Sequence, residues 1–255
     1  MQLGADLVSR LQRARRVVVF TGAGVSAESG IPTFRDRQSG LWCNCDAQAL
    51  ATPEAFERDA ALVWGWYEWR RSFVAASEPN AAHRAIAALQ GRVAQLTLIT
   101  QNVDDLHERA GSAAVLHLHG HIGRPYCSAC RSEHALPPAA TSTSDGGGRL
   151  PPPRCSRCGG RVRPGVVWFG EALPALEWEQ AVAAARGCDV FLCVGTSSVV
   201  EPAAGLTRAA IAAAAATIQV NIERTWLDEL VTLNLRGPAG TILPELLAAV
   251  WPDTR

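Results

Sequence analysis

The chain contains no lysine, because all 24 of its basic residues are arginine. This absence excludes a Walker-type phosphate-binding lysine, a Schiff-base lysine and a lysine general base. The 24 acidic residues balance the arginines, so the formal net charge is zero. A chain without net charge offers no basic footprint for nucleic acid or for an anionic membrane surface, and we expect neither partner.

Long hydrophobic runs are also absent. The alanine-rich run Ala209–Ala216 is far shorter than the ~20 apolar residues of a membrane span. Met1–Arg16 has the pattern of an amphipathic helix, and its arginines would suit a transit peptide. Asp6 and the apolar strand that begins at Val17 argue against a transit peptide, so this segment is predicted to be the first helix of the domain. We expect a soluble, cytoplasmic monomer.

Four short apolar runs are typical of buried parallel strands. They are Arg16–Phe20, Leu96–Thr100, Val190–Gly195 and Thr217–Val220. Helical patterns lie between them, notably at Asn80–Gln90, Glu177–Ala185 and Pro202–Ala216. This alternation of strands and helices predicts an α/β fold with a doubly wound parallel sheet.

Two stretches interrupt the alternation and are predicted to form a smaller domain. Residues 39–77 are rich in tryptophan and helical beyond Pro53, and residues 125–164 carry paired cysteines. Within the second stretch, Thr141–Gly148 has few apolar groups and is predicted to be a mobile loop. The larger domain would comprise residues 1–38, 78–124 and 165–255.

Four cysteines have the spacing of a structural zinc site. The pattern is Cys127-x-x-Cys130, then 24 residues, then Cys155-x-x-Cys158. Four thiolates complete a tetrahedral site and leave no position for a reacting water, so the predicted role is structural. Two disulfides are disfavoured where no secretion signal is present, and a redox Cys-x-x-Cys would need a strand-to-helix turn that neither pair follows.

A glycine-rich segment follows the apolar strand. It reads Gly22-Ala23-Gly24-Val25-Ser26-Ala27, a Gly-x-Gly-x-x-Ala pattern that brings backbone amides to a pyrophosphate at a helix N-terminus. The ribose-binding acid expected about 20 residues further on is missing. The residues that follow, Ser29-Gly30-Ile31-Pro32-Thr33-Phe34-Arg35, are no part of a hydride-transfer fingerprint. The segment therefore predicts a dinucleotide site with a different chemistry.

This segment and later motifs, in the same order along the chain, resemble the signatures of the sirtuin family of NAD-consuming protein deacylases. The later motifs are Gln101-Asn102-Val103-Asp104, His119-Gly120, Val167-x-Phe169-Gly170-Glu171, Gly195-Thr196-Ser197-Ser198 with Pro202-Ala203, and Val220-Asn221-x-Glu223. The resemblance covers nearly the whole chain. It implies a Rossmann-like NAD-binding domain with a smaller domain made of a helical insert and a zinc-binding module.

The resemblance further implies that NAD is a co-substrate and that the partner is an acylated lysine of a protein. Nicotinamide is released, the acyl group moves to ADP-ribose and the lysine is freed. His119 would be the general base, because an imidazole with a pKa of about 6.5 is neutral near pH 7. Asn102 and Asp104 would hold the nicotinamide and its ribose as further catalytic residues. The implied cofactor-binding residues are Gly22, Ala23, Gly24, Ser26, Phe34, Arg35, Gln101, Asn102, Asp104, Gly195, Thr196, Ser197, Asn221, Glu223 and Ala239.

Two of the implied catalytic residues have plainer interpretations. His117, His119 and His121 alternate as residues on one face of a strand do, and they could form a metal cluster or be exposed strand residues. Only His119 is followed by the glycine of the motif. Asp104 with Asp105 could instead cap a helix, as aspartate often does.

Tyr67 and Arg70 bear on the acyl group that is removed. They are three residues apart on a predicted helix, so they share a face, and an arginine fork beside a phenol suits a carboxylate. This spacing resembles the class III sirtuins, the desuccinylase and demalonylase subclass, and Ala51 matches the small residue of that subclass. The implied acyl-binding residues are Ala51, Tyr67, Arg70, Val167, Phe169 and Gly170. The alternative is that Tyr67 packs among tryptophans while Arg70 is a solvated helix charge.

The function expected from the sequence is an NAD-dependent protein-lysine deacylase that removes succinyl, malonyl or glutaryl groups and also acetyl groups. An NAD glycohydrolase or a mono-ADP-ribosyltransferase would need the same cofactor pocket but no acyl-lysine tunnel. A non-catalytic NAD-binding module is disfavoured by the presence of His119, Asn102 and Asp104.

Overall fold

The computed structural model describes residues 3–33, 46–137, 139 and 148–252. The expected loop at Thr141–Gly148 lies outside these residues except for Gly148. The helices are α1 (Ala5–Gln12), α2 (Gly24–Ala27), α3 (Ala47–Leu50), α4 (Pro53–Arg58), α5 (Ala60–Ala76), α6 (Ala81–Leu89), α7 (Leu106–Arg109), α8 (Ala175–Gly187), α9 (Gly205–Ala212) and α10 (Ala239–Val250). The strands are β1 (Arg16–Thr21), β2 (Gln95–Thr100), β3 (Val115–His117), β4 (Tyr126–Cys127), β5 (Val162–Arg163), β6 (Val190–Val194), β7 (Ala216–Asn221) and β8 (Leu233–Arg236).

Six strands form one parallel sheet in the order β3-β2-β1-β6-β7-β8. Counted within this sheet alone, that order is 3-2-1-4-5-6, the order of a doubly wound dinucleotide-binding sheet. The predicted fold class is therefore confirmed. The order reverses between β1 and β6, so a crevice opens there at the carboxyl ends of the strands, where such sheets bind ligands.

The four predicted strands are all present. The sequence patterns missed β3 and β8, because neither strand is a buried apolar run: their residues are half-buried, or exposed in the case of Arg236. Two predicted helices were too long. The first helix occupies only Ala5–Gln12 of the predicted Met1–Arg16. The helix expected over Pro202–Ala216 spans Gly205–Ala212, because Ala214 has a positive φ of 59° and Ala216 already pairs with Val190 in the sheet.

Both faces of the sheet are covered by helices, and alternate residues of β1 show this directly. Val17 and Val19 pack in the core on the face of α1, α6 and α10, while Val18 and Phe20 pack on the face of α8 and α9. Burial on both faces explains why the central strands are continuous apolar runs rather than alternating ones.

A third apolar cluster lies outside the sheet and joins the helices α3, α4 and α5 to the segment around Trp168. Trp66 and Phe56 are almost fully buried in this cluster. The hairpin formed by β4 and β5 carries the paired cysteines. These parts match the two stretches that interrupt the alternation, and the domain boundaries given above remain a prediction.

None of the helices in the described part of the chain has the length and apolar character that crossing a membrane requires.

Candidate functional site

The cavity at the switch point has a volume of about 670 Å³. One side consists of the loops that follow β1, β2, β6 and β7, and the other side includes Tyr67 and Trp168 from the third cluster. The cavity therefore lies between the sheet and the small helical and zinc-bearing part of the molecule.

Glycines allow the loops after β1 and β6 to touch. A Cβ atom on Gly24 would stand 2.7 Å from the Gly195 carbonyl oxygen, and one on Gly22 would stand 2.8 Å from Thr196 Cβ. Gly195 has a positive φ of 60°, which favours glycine. The amides of Gly22 and Gly24 donate to the carbonyl oxygens of Val194 and Gly195. These two amides therefore hold the two loops together, and the pyrophosphate site expected at this segment remains a prediction.

All of the predicted catalytic, cofactor-binding and acyl-binding residues that the structure describes line this one cavity. Phe34 and Arg35 lie outside the described residues. The lining residues from those predictions are Gly22, Ala23, Gly24, Ser26, Ala51, Tyr67, Arg70, Gln101, Asn102, Asp104, His119, Val167, Phe169, Gly170, Gly195, Thr196, Ser197, Asn221, Glu223 and Ala239.

Asn102, Asp104 and Ser26 form a buried polar group on the floor of the cavity. The Asn102 side-chain amide donates to Ser26 Oγ at 3.0 Å, and Ser26 is also hydrogen-bonded to Asp104. Burial raises the pKa of the Asp104 carboxyl, and the hydrogen bonds oppose this rise. Asp104 Oδ1 also accepts from the Leu106 amide at 3.2 Å, but the N-cap of α7 is the next residue, Asp105, and its side chain makes no capping hydrogen bond.

His83 lies beneath this group and is fully buried. Its Nδ1 accepts from the Asn80 amide at 3.3 Å, which places the proton of the neutral ring on Nε2, at 3.4 Å from Ser26 Oγ. Desolvation lowers the pKa of His83 to about 4, so the ring is neutral.

The two ring nitrogens of His119 differ: Nδ1 is hydrogen-bonded within the protein, and Nε2 is free to accept a proton. Its Nδ1 lies 3.0 Å from the Gln101 carbonyl oxygen, which can only accept, so Nδ1 carries the proton. Nε2 is then an acceptor on a ring that lines the cavity. Burial lowers the pKa of His119 from its ordinary value, which keeps the ring neutral at pH 7. The arrangement suits a general base.

The neighbouring histidines do not join His119 in a metal cluster. His117 bonds to the Asn102 carbonyl oxygen and to Glu108, and His121 Nδ1 accepts from the Gly123 amide. Over residues 3–33, 46–137, 139 and 148–252, the only set of three or more histidine, cysteine or acidic side chains placed to hold a metal ion is the group of four cysteines.

Side-chain hydrogen bonds tie together the three loops that follow β2, β6 and β7. Gln101 Nε2 donates to Thr196 Oγ1 at 2.9 Å, and Asn221 Nδ2 donates to the Thr196 carbonyl oxygen at 2.8 Å. These bonds hold the loops after β2, β6 and β7 in one arrangement along the cavity. Glu223 projects from the last of these loops and is exposed.

Tyr67 and Arg70 lie at the other end of the cavity, on the same face of α5. Arg70 is only 8% exposed, so it is not a solvated helix charge. Tyr67 does pack against Trp66, with ring centroids 4.6 Å apart, yet it lines the cavity too. Burial raises the pKa of the Tyr67 phenol, so the hydroxyl keeps its proton at neutral pH.

Sequence reasoning missed several residues of the cavity wall, among them Trp168, Leu173 and Val199. Trp168 lies at the variable position of the Val167-x-Phe169-Gly170-Glu171 motif. Val199 is 57% exposed and lines the cavity, and its place there can be read only from the structure.

The four cysteines lie together at the hairpin of β4 and β5. The sulfur atoms of Cys127 and Cys158 are 3.5 Å apart, and those of Cys130 and Cys155 are 3.7 Å apart. With zinc–sulfur bonds of about 2.3 Å, the sulfurs of a tetrahedral site stand about 3.8 Å apart. A disulfide would bring them to about 2 Å. The donor set therefore fits one structural zinc ion.

Comparison with known proteins decides the family. The sequence model of the Sir2 family matches residues 22–202. The chain belongs to the Sir2 family. A Methylococcus capsulatus protein named NAD-dependent protein deacylase is 55% identical over 250 residues, which are 98% of this chain and 98% of that protein. NAD-dependent protein deacylase 1 of Pseudomonas aeruginosa is 56% identical over 248 residues, 96% of this chain and 98% of its own. The crystal structure of a Sir2 homologue in complex with NAD has a TM-score of 0.89 at 42% identity, covering 98% of this chain and 94% of that one.

Membership in the Sir2, or sirtuin, family confirms the resemblance seen in the motifs. The similarity extends across almost the entire length of each relative, so it includes both the sheet and the four-cysteine hairpin.

Removing the metal from the four-cysteine site should destabilise the protein. We expect one zinc ion per chain by elemental analysis, and we expect Cys155→Ser to lose the ion and lower the Tm by about 5–10 °C, because the hairpin would lose its cross-link. Cys188→Ser is the matched control, since Cys188 lies outside the cluster and should leave the zinc content unchanged. Full zinc content in Cys155→Ser would contradict the assignment.

Proposed function

We propose that this Sir2-family chain is an NAD-dependent protein-lysine deacylase that removes succinyl, malonyl and glutaryl groups and also acetyl groups. The products would be nicotinamide, O-acyl-ADP-ribose and free lysine. The observation that carries the acyl preference is a buried arginine and a buried phenol in the same cavity as the histidine base. The names of the close relatives support the deacylase activity itself.

NAD would occupy the cavity as co-substrate, and it supplies a nicotinamide leaving group and a ribose hydroxyl that accepts the acyl group. The residues present suit such a molecule. Asn221 and Glu223 offer an amide and a carboxylate to the adenosine end, and Ser197 offers a hydroxyl to phosphate. Asn102 and Asp104 offer an amide and a carboxylate where nicotinamide and its ribose would lie. Phe34 and Arg35 are further candidates for the nicotinamide side.

Asp104, held by Ser26, would stabilise positive charge that develops beside it in the cavity. A buried carboxylate favours an electron-poor centre beside it, and Asp104 is buried and held by the hydrogen bonds from Ser26 and Leu106. Asn102 is fixed from two sides, by its side-chain bond to Ser26 and by its backbone amide, which donates to Thr100 Oγ1 at 3.0 Å. These contacts set the orientation of both groups before the substrate arrives.

His119 would take the proton of a ribose hydroxyl on Nε2. The bond from Nδ1–H to the Gln101 carbonyl fixes the tautomer and the ring plane, so Nε2 faces the cavity as an acceptor. Because burial lowers its pKa, the ring remains an unprotonated base at the pH where it works.

Arg70 and Tyr67 would bind the distal carboxylate of a dicarboxylic acyl group. The guanidinium can supply two parallel N–H donors, and the phenol can add an O–H donor. Phe169, Val167 and Gly170 would flank the acyl-lysine, and the Phe169 amide is bonded to the Ala51 carbonyl oxygen at 2.9 Å, which brings two of the acyl-binding candidates together. An acetyl group has no carboxylate for this pair, so it would gain nothing from them.

An NAD glycohydrolase or mono-ADP-ribosyltransferase is the alternative on the same fold. Such an enzyme binds no acyl-lysine, so it would not need the buried side chains of Arg70 and Tyr67 in the same cavity as His119. Release of nicotinamide in the absence of any acylated peptide, at the rate seen with one, would favour this alternative.

The cytoplasmic location, the monomeric state and the lack of a nucleic-acid partner remain predictions.

Mass spectrometry on one peptide carrying acetyl-, succinyl-, malonyl- or glutaryl-lysine tests the proposal. We expect the free peptide and acyl-ADP-ribose to form only with NAD, and we expect higher kcat/KM for the three acidic acyl groups than for acetyl. A preference for acetyl would contradict the acyl assignment and leave the deacylase activity standing.

Arg70→Met should lower desuccinylation by about 10- to 100-fold, since it removes charge-assisted hydrogen bonds to the substrate carboxylate. Deacetylation should fall far less, because the acetyl group does not reach a charge partner. Arg71→Met is the matched control on the same helix, as Arg71 pairs with Glu68 and does not line the cavity. Equal losses with both peptides in Arg70→Met would exclude the carboxylate-binding role.

His119→Tyr should abolish acyl transfer while the far-UV circular dichroism and the Tm stay close to those of the parent protein. In the parent protein, activity should fall as the pH drops through the lowered pKa of His119, so the acid limb should lie below the usual value of about 6.5. His134→Tyr replaces a histidine outside the cavity and should remain active. Turnover that survives in His119→Tyr would remove this residue from the mechanism.

A further inference from the structure

Trp168 is fixed at the acyl end of the cavity by the segment that carries it. The amide on one side, from Val167, donates to the His119 carbonyl oxygen at 2.9 Å, and the amide on the other side, from Phe169, donates to the Ala51 carbonyl oxygen at 2.9 Å. Trp168 is 3% exposed and belongs to the apolar cluster that contains Tyr67. Its position is thus set relative to both the base and the acyl-binding candidates.

The indole of Trp168 makes one directed contact. Its Nε1–H lies 3.0 Å from the Tyr67 hydroxyl oxygen. An indole N–H can only donate, so the Tyr67 oxygen is the acceptor in this bond. The phenol must therefore aim its own proton elsewhere, and Tyr67 lines the cavity in which a substrate carboxylate would lie. Trp168 makes Tyr67 a donor toward that space.

A salt bridge holds the indole in place from the other side. The Arg163 guanidinium carbon lies 3.5 Å from the centroid of the Trp168 ring, a close stacking contact. Glu171 binds this guanidinium through both carboxylate oxygens, at 2.5 and 2.8 Å, and also accepts from the Trp168 backbone amide at 2.8 Å. Arg163 is buried and belongs to β5, so the zinc-bearing hairpin clamps the tryptophan.

We propose that Trp168 is a positioning residue that determines acyl specificity by orienting the Tyr67 hydroxyl toward the carboxylate of a dicarboxylic acyl group. This inference rests on the proposed function. Trp168 need not contact the acyl carboxylate, because it acts on specificity only through Tyr67. An acetyl group has no distal carboxylate to accept the oriented phenol proton, so the bond matters for the acidic acyl groups alone.

Trp168→Phe tests the proposal, because phenylalanine keeps an aromatic ring under Arg163 and removes the N–H donor. We expect the ratio of kcat/KM for succinyl-peptide to kcat/KM for acetyl-peptide to fall by about three- to tenfold, the usual worth of one hydrogen bond. Trp178→Phe is the matched control, since Trp178 lies on α8 and does not line the cavity. Its ratio should equal that of the parent protein.

A double-mutant cycle with Tyr67→Phe shows whether Trp168 acts through the phenol. Once the hydroxyl is gone, adding Trp168→Phe should not change the ratio further, whereas independent effects would multiply. The ratio is insensitive to general loss of folded protein, because both substrates are assayed on the same sample, and the Tm of each variant is measured alongside.

The outcomes separate this inference from the proposed function. A parent protein that prefers succinyl together with an unchanged ratio in Trp168→Phe would overturn the role of Trp168 and leave the proposed function intact. A ratio that falls equally with and without the Tyr67 hydroxyl would also overturn it. A parent protein without a preference for acidic acyl groups would overturn both proposals.

Discussion

The contact between the loop after β1 and the loop after β6 is the constraint on which the site depends. Gly22 and Gly24 of one loop press against Gly195 of the other at distances that any side chain would block. Because the strand order reverses at this point, the contact fixes the floor of the crevice that holds all the described candidate residues. A methyl group on either loop would push the two halves of the sheet edge apart. The glycines thus serve loop packing first, and they admit a ligand as a consequence.

Much of the fold and site could be predicted from the sequence, since the informative signals were local. The central strands are buried on both faces and therefore appear in the sequence as apolar runs. The spacing of the four cysteines is typical of a tetrahedral zinc site. Half-buried β3 and β8 carry no such run and were missed. The end of α9 depends on a positive φ at Ala214 that nothing in an alanine-rich segment signals. The hydrogen bonds from the Gly22 and Gly24 amides could not be predicted, because their partners, Val194 and Gly195, are distant in the sequence.

The polar floor of the cavity could not be inferred from spacing either. His83, Ser26 and Asn102 come from three separate segments, and only the fold brings them within hydrogen-bonding distance. Burial shifts the pKa values of the two titratable groups here, His83 and Asp104, toward the neutral form, because desolvation disfavours the charged form of each. The groups around the Asp104 carboxyl, from Ser26, Asn102 and the Leu106 amide, are therefore all uncharged donors and acceptors.

The clamp on Trp168 has a thermodynamic consequence. Arg163 stands opposite Tyr126 in the hairpin, next to the Cys127 ligand position, so the four-cysteine site and the cavity wall at Trp168 share one pair of strands. Two ligands that bias the same element are linked, and the linkage is reciprocal. Any factor by which bound metal strengthens the binding of a dicarboxylic acyl-lysine must equal the factor by which that acyl-lysine strengthens the binding of the metal. The cysteine cluster would then be a heterotropic partner of the substrate as well as a cross-link in the fold.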